Sequence, residues 1–200
     1  MKIDIAYGRE GLSINVPDRN LVKVLRMNDR PVITDPVSVT KRKVGAPAGS
    51  PPLAELAKGK RTACIVVSDI TRPVPNSVIL PPILETLEKA GIPREGITIL
   101  NATGLHRPNE GEELITLLGP EIPKKYRVVN HMGRDLESHA YLGETPIYKA
   151  PAYVDKRFVE AGLHIATGLI EPHFMAGFSG GRKAIFPGIC AFESVKVLHG

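Results

Sequence analysis

The run Thr62-Ala63-Cys64-Ile65-Val66-Val67 most constrains the fold, because an apolar, β-branched stretch with no polar alternation has no face to show to water. It belongs in a strand covered on both sides, the position strands take in parallel sheets. Helical spacing of Val78, Leu80, Ile83, Leu84 and Leu87 follows over Ser77 to Ala90 and stops at Gly91. Ile97-Thr98-Ile99-Leu100 repeats the buried-strand pattern, Asn109 to Leu118 repeats the helix and ends at Gly119, and Arg127-Val128-Val129-Asn130 forms a third strand. This β-α-β-α-β order predicts an α/β fold, a mostly parallel, Rossmann-like sheet with helices on both faces. A hairpin-like section over Tyr141 to Lys149, a strand over Leu163 to Gly168 and a helix from Phe192 complete the reading. Ahead of the core, Lys2 to Tyr7 and Gly11 to Val16 alternate around Gly8-Arg9-Glu10-Gly11 and predict a short amino-terminal β-hairpin, followed by a connector carrying Pro31, Pro36, Pro47, Pro51 and Pro52. Residues 1–50 are therefore read as hairpin and connector, and 51–200 as the α/β core.

Charge and composition remove several functions. The formal net charge of +5 is spread along the chain, with only Lys41-Arg42-Lys43 clustered, and aromatic residues make up 5% with no Trp. Nucleic acid is excluded as a partner on those grounds, since stacking platforms and a basic stripe are both missing. The balance favours small anions instead. No apolar stretch reaches membrane-spanning length and the start lacks a secretory signal, so no membrane association is expected. Cys64 and Cys190 form no paired motif, which fits a reducing cytoplasmic location.

Unusual polar residues follow three of the predicted strands. Ser68-Asp69-Ile70-Thr71-Arg72-Pro73 follows the first, Asn101-Ala102-Thr103-Gly104-Leu105-His106-Arg107-Pro108 the second, and Gly168-Leu169-Ile170-Glu171-Pro172-His173 the last. Ligands of open α/β sheets bind beyond the carboxyl ends of strands, so these loops converge on one crevice. Asp69, Ile70, Thr71 and Arg72 make an anion seat of hydroxyl, guanidinium and backbone N–H groups, although Asp69 and Arg72 could instead be a turn cap and its salt-bridge partner. His106 and His173 are the candidate acid/base groups, against the alternatives of a loop residue and a satisfied buried ring. His131 and His139 read as surface residues, His164 as a packing residue, and His199 as a helix-terminal histidine. The run Gly177-Phe178-Ser179-Gly180-Gly181-Arg182-Lys183 is neither a Walker A loop nor G-x-G-x-x-G, which disfavours ATP and NAD by those routes. Lys183 can meet a phosphate or form a covalent bond. The absence of H-E-x-x-H and of paired C-x-x-C leaves no short zinc motif.

Together, Asp69-Ile70-Thr71-Arg72-Pro73, Thr103-Gly104-Leu105-His106-Arg107, Glu171-Pro172-His173, Gly177 to Lys183 and His199-Gly200 resemble the amino-terminal domain of nickel-dependent lactate racemases. The resemblance covers nearly the whole chain, with the motifs in order. It implies a nickel pincer nucleotide, Ni(II)-pyridinium-3,5-bisthiocarboxylate mononucleotide, attached covalently at Lys183 and installed by cofactor-maturation proteins. It further implies Asp69 to Arg72 as part of the cofactor seat, His199 as the nickel ligand, and His106 and His173 as the two acid/bases of a racemase or epimerase acting on lactate or another 2-hydroxy acid by reversible hydride transfer.

Members of that family are about twice this length and have a carboxyl-terminal domain that adds substrate-binding residues. The resemblance therefore implies that this chain is the amino-terminal part of a two-domain protein, weakly active or inactive alone. Arg182 stands where some relatives have a third glycine, a departure that points away from lactate itself. Two rival readings remain at this stage: a non-catalytic mononucleotide- or phosphate-binding α/β module, and a metal-free enzyme that uses Lys183.

Overall fold

The computed structural model describes residues 1–26, 28 and 30–198. It divides into two compact units, Met1–Thr34 and Asp35–Gly200. In the first, strands β1 (Lys2–Ile5) and β2 (Leu12–Asn15) pair antiparallel with Lys2 opposite Asn15 and Ile5 opposite Leu12, giving the hairpin expected from the alternation.

The second unit begins with a helix where the sequence reads as a connector. Helix α1 (Pro36–Gly45) starts at Pro36, whose missing N–H costs nothing in a first turn, and Asp35 caps it by accepting a hydrogen bond from the Ser38 N–H at 3.0 Å. Proline here starts a helix instead of preventing one. Helix α2 (Leu53–Ala57) leads into strand β3 (Ala63–Ser68), then α3 (Asn76–Lys89), β4 (Ile97–Ala102), α4 (Glu112–Leu118), α5 (Ile122–Lys125) and β5 (Arg127–Asn130). Strands β6 (His139–Glu144) and β7 (Pro151–Asp155) form an antiparallel ribbon wider than the hairpin read from Tyr141 to Lys149. Helix α6 (Lys156–Val159), strand β8 (His164–Ala166), the small hairpin of β9 (Pro172–His173) and β10 (Gly177–Phe178), and helix α7 (Phe192–Leu198) complete the order.

The main sheet has the order β5-β4-β3-β8 with every pairing parallel. Val66 on β3 lies between Leu100 and Ala166, so β3 is central, and its residues 63–67 are all buried. Alternation divides them between two cores. Ala63, Ile65 and Val67 pack with Leu80, Leu84, Leu87 and Leu118 from the helical layer, while Cys64 and Val66 pack with Val154, Ile189 and Cys190 on the opposite face. Phe158 and Val159 of α6 close that second face. Burial pushes the Cys64 thiol up to about 12 and raises Cys190 as well, so neither is a thiolate nucleophile. No helix among the described residues is long and apolar enough to cross a membrane.

The chain steps from β3 to β4 to β5 in one direction, then returns to place β8 on the other side of β3. Connections leave neighbouring strands in opposite senses at that reversal, so the loops at their carboxyl ends part and leave a crevice. The loops after β3, β4 and β8 are the ones that carry the unusual polar residues.

Candidate active site

The crevice at these strand ends is a cleft of about 160 Å³. Ser68, Asp69, Thr71 and Arg72 line it from the β3 loop, Thr103 to His106 from the β4 loop, and Ser179, Gly180 and Lys183 from the segment after β10. Thus Asp69, Thr71, Arg72, His106 and Lys183 come together although more than a hundred residues separate the first from the last. Ile70 does not line the cleft among the described residues; its N–H instead donates to Asn109 Oδ1 at 3.2 Å.

Asp69 is almost fully buried, and its two oxygens have different partners. Oδ1 accepts the Thr71 hydroxyl at 2.6 Å, and Oδ2 lies 2.6 Å from His106 Nδ1. An ionised carboxylate can only accept, so Nδ1 of His106 carries a proton, and in the neutral ring Nε2 is the nitrogen with the free lone pair. This replaces the salt-bridge alternative for Asp69. Arg72 instead approaches Glu171, Nε to Oε1 at 3.9 Å, a partly exposed contact that leaves most of the guanidinium donors open.

His173 has the opposite ring arrangement. Its Nδ1 accepts from the backbone N–H groups of Met175 and Ala176, both at 3.2 Å, which places the proton of the neutral ring on Nε2. The tight β9–β10 turn supplies those two donors. His173 is not among the residues that line the cleft, but its hairpin ends at Ser179 and Gly180, which are.

Lys183 lies in a short 3₁₀ turn over Gly181–Ala184, opened by a Lys183 N–H bond to the Gly180 carbonyl at 3.0 Å. Among the described residues its ammonium has no hydrogen-bond or ion-pair partner. Burial lowers its proton affinity, the nearby Arg72 charge lowers it further, and Asp69 opposes both. Gly180 is required by space as well as by its φ of +67°: a Cβ there would lie 2.8 Å from the Leu169 carbonyl oxygen. His199 lies outside the described residues. Among the described residues no cluster of three or more His, Cys, Asp or Glu side chains has metal-site geometry.

Several contributors escape a reading of the sequence. Asn101, Asn109 and Asn130 form a network behind the cleft: Asn101 Nδ2 donates to Asn109 Oδ1 at 3.0 Å and to Asn130 Oδ1 at 2.8 Å, while Asn130 Nδ2 donates to the Asn109 carbonyl at 2.9 Å. They stiffen the β4 loop and hold the Ile70 N–H of the β3 loop. A polar residue near the carboxyl ends of two buried strands, Asn101 and Asn130, was the available signal. His131 and His139 are not surface residues: they are 1% and 5% exposed, and their Nε2 atoms lie 2.8 Å apart. The polar stretch around Gly133-Arg134-Asp135 suggested exposure, but a Cβ at Gly133 would lie 2.6 Å from the Gly104 carbonyl, so this turn is packed directly under the β4 loop. His164 is exposed on its edge strand and stacks on Phe158 with ring centroids 4.6 Å apart.

The histidine pair sets a pH limit. His139 Nδ1 donates to the Asp135 carbonyl at 2.8 Å, so in the neutral pair its Nε2 accepts the proton of His131 Nε2. Burial first, then the neighbouring His139, and less so Arg157, together lower His131 to about 4, with Asp155 opposing. The unfolded ring titrates near 6.5, so the stability from keeping it neutral is complete above that pH and is lost as pH falls toward 4. Thermal melts should show a fall on the order of 3 kcal/mol across this window, and His131→Gln should flatten it.

The family model described as the lactate racemase N-terminal domain matches residues 7–200. Lactate racemases from Thermoanaerobacterium thermosaccharolyticum and Lactiplantibacillus plantarum are each 36% identical over 98% of this chain. The chain spans 46% of the length of each. The solved structure of the lactate racemase apoprotein from the first organism superposes with a TM-score of 0.83 at 35% identity, covering 98% of this chain and 45% of that one. A structure from Thermotoga maritima shares the fold, with a TM-score of 0.69 at 24% identity over 84% of this chain. With a family match running through the Asp69, His106, His173 and Lys183 loops, this chain belongs to the lactate racemase N-terminal domain family.

Proposed function

We propose that this chain is the cofactor-carrying half of a two-domain 2-hydroxy acid racemase or epimerase, with lactate the first substrate to test. The observation that supports this most is the buried Asp69 carboxylate holding His106 in one cleft with a half-buried lysine whose ammonium has no partner among the described residues. A nickel pincer nucleotide fits these residues. Lys183 has a lowered proton affinity and so presents more neutral amine for a covalent bond, Arg72 offers open donors for a phosphate, and the Gly180–Gly181 backbone admits a close approach. Lys183 would hold the group covalently, Arg72 and the Asp69–Thr71 turn would seat it, and His199 would be the metal ligand. When bound, the group supplies a hydride acceptor, chemistry that no side chain here provides.

The protein's own part is proton handling and orientation. His106, held by Asp69 with Nε2 unprotonated, is set to take the substrate hydroxyl proton. His173 gives one from Nε2 as the imidazolium, with its Nδ1 then protonated and turned from the Met175 and Ala176 N–H groups, because the neutral ring has no proton it can give. Exchanging those states serves the other enantiomer, because each ring then does the reverse task. Two histidines are needed because a 2-hydroxy acid inverted at Cα presents its hydroxyl on the other side. The test is chiral. Matured protein carrying this chain and its carboxyl-terminal domain, given one enantiomer of lactate, is expected to bring the two to equal amounts by chiral chromatography. Loaded protein that converts neither lactate nor any other 2-hydroxy acid contradicts the proposal.

A further inference from the structure

We infer that Ser179 is the positioning residue that ties the His173 hairpin to the Lys183 turn. Resting on the function proposed above, it sets the acid/base histidine and the cofactor-bearing lysine in one register. Its side chain is 5% exposed and its hydroxyl is used twice: it donates to the Leu169 carbonyl at 2.6 Å and accepts from the Glu171 N–H at 3.2 Å. Its backbone N–H donates to the Glu171 carbonyl at 2.9 Å. Three bonds from one residue thus join the strand that enters the hairpin to the strand that leaves it. Gly180, the next residue, touches the Leu169 carbonyl too closely for any side chain, and its own carbonyl accepts the Lys183 N–H that opens the lysine turn. The same clamp fixes Glu171, whose carboxylate approaches the Arg72 guanidinium at 3.9 Å.

The hairpin itself is short and exposed. Its two strands are two residues each, and Phe174, Met175 and Phe178 are exposed at 110%, 58% and 61%. A ribbon so short is not stable by itself, so the closure at its base determines where His173 and Lys183 stand. Replacing the hydroxyl by hydrogen strands the Glu171 N–H and the Leu169 carbonyl together, both away from the sheet core.

The test compares Ser179→Ala with Ser179→Thr, which keeps donor and acceptor, by amide hydrogen exchange on the chain and by kinetics on the matured protein. Exchange does not depend on which substrate, metal or reaction the site serves, so it tests the clamp separately from the proposed function. In Ser179→Ala, amides 171–186 are expected to exchange at least about ten-fold faster while those of β3 and β4 stay protected, because the opening is local. In kinetics, kcat should fall about ten-fold or more with KM nearly unchanged. Ser179→Thr should restore both. Should the alanine variant fail to fold, Ser179→Cys, similar in size and a weak donor, is measured with the same expectation. Exchange unchanged over 171–186, uniform loss of protection that includes β3 and β4, or a threonine variant that behaves like alanine would each overturn the assignment.

Discussion

Asp69→Asn is expected to lower turnover of the matured protein by about 10²–10⁴-fold while leaving the fold intact. The buried carboxylate accepts at both oxygens, from Thr71 and from His106 Nδ1. An asparagine of the same shape presents an amide that donates on one side. Whichever way it turns, either Thr71 loses its acceptor or His106 meets a donor, and the second case moves the ring proton from Nδ1 to Nε2. A ring protonated at Nε2 cannot take the substrate proton. Nitrogen shifts of His106 should report the changed tautomer directly, and the melting temperature should change little because the Asp69–His106 pair lies at the cleft edge with the ring largely exposed. Full activity with the tautomer changed would remove His106 from the proton chemistry.

Removing either ring is expected to stop racemisation in both directions. His106→Gln and His173→Gln should each cut interconversion by about 10²–10⁴-fold, because a turnover that begins with one histidine ends with the other. The two variants should nevertheless differ. Mixed in a single turnover with each pure enantiomer, each variant should keep the first chemical step with only one, and the two variants should keep opposite ones. Equal loss of that first step for both enantiomers in both variants would mean that one ring acts on both faces and the other only supports the fold.

Strand and helix order was legible because burial on both faces of a parallel sheet leaves a mark on every residue of a strand. Residues 63–67 need no partner to be recognised as interior. The site loops were legible by position, since any polar residue directly after such a strand stands at the sheet's carboxyl edge. What the sequence could not show was pairing. Asp69 is two residues from Thr71 and three from Arg72, so local spacing suggested Arg72 as partner, yet the carboxylate bonds across the crevice to His106, thirty-seven residues away. The His131–His139 pair was misread for the same reason: the polar turn around Gly133 looks solvent-facing until the β4 loop is placed on top of it. Helix α1 was missed because its proline was counted as a break, whereas Asp35 and Pro36 together start a helix. Ser179 gave no signal apart from its neighbouring glycines, because its two hydroxyl bonds go to backbone groups that any sequence carries.

The central claim is that Lys183 anchors a nickel-bearing group, and the most direct test is intact mass with nickel content after exposure to the maturation proteins. The native chain is expected to gain a lysine-dependent mass increment with nickel in proportion, and Lys183→Ala, a change at a half-buried side chain without a partner among the described residues, is expected to gain neither while keeping its fold. An unmodified, metal-free native chain, under conditions that load a known lactate racemase, would contradict the account and favour an α/β domain that binds a phosphate or mononucleotide without turning it over.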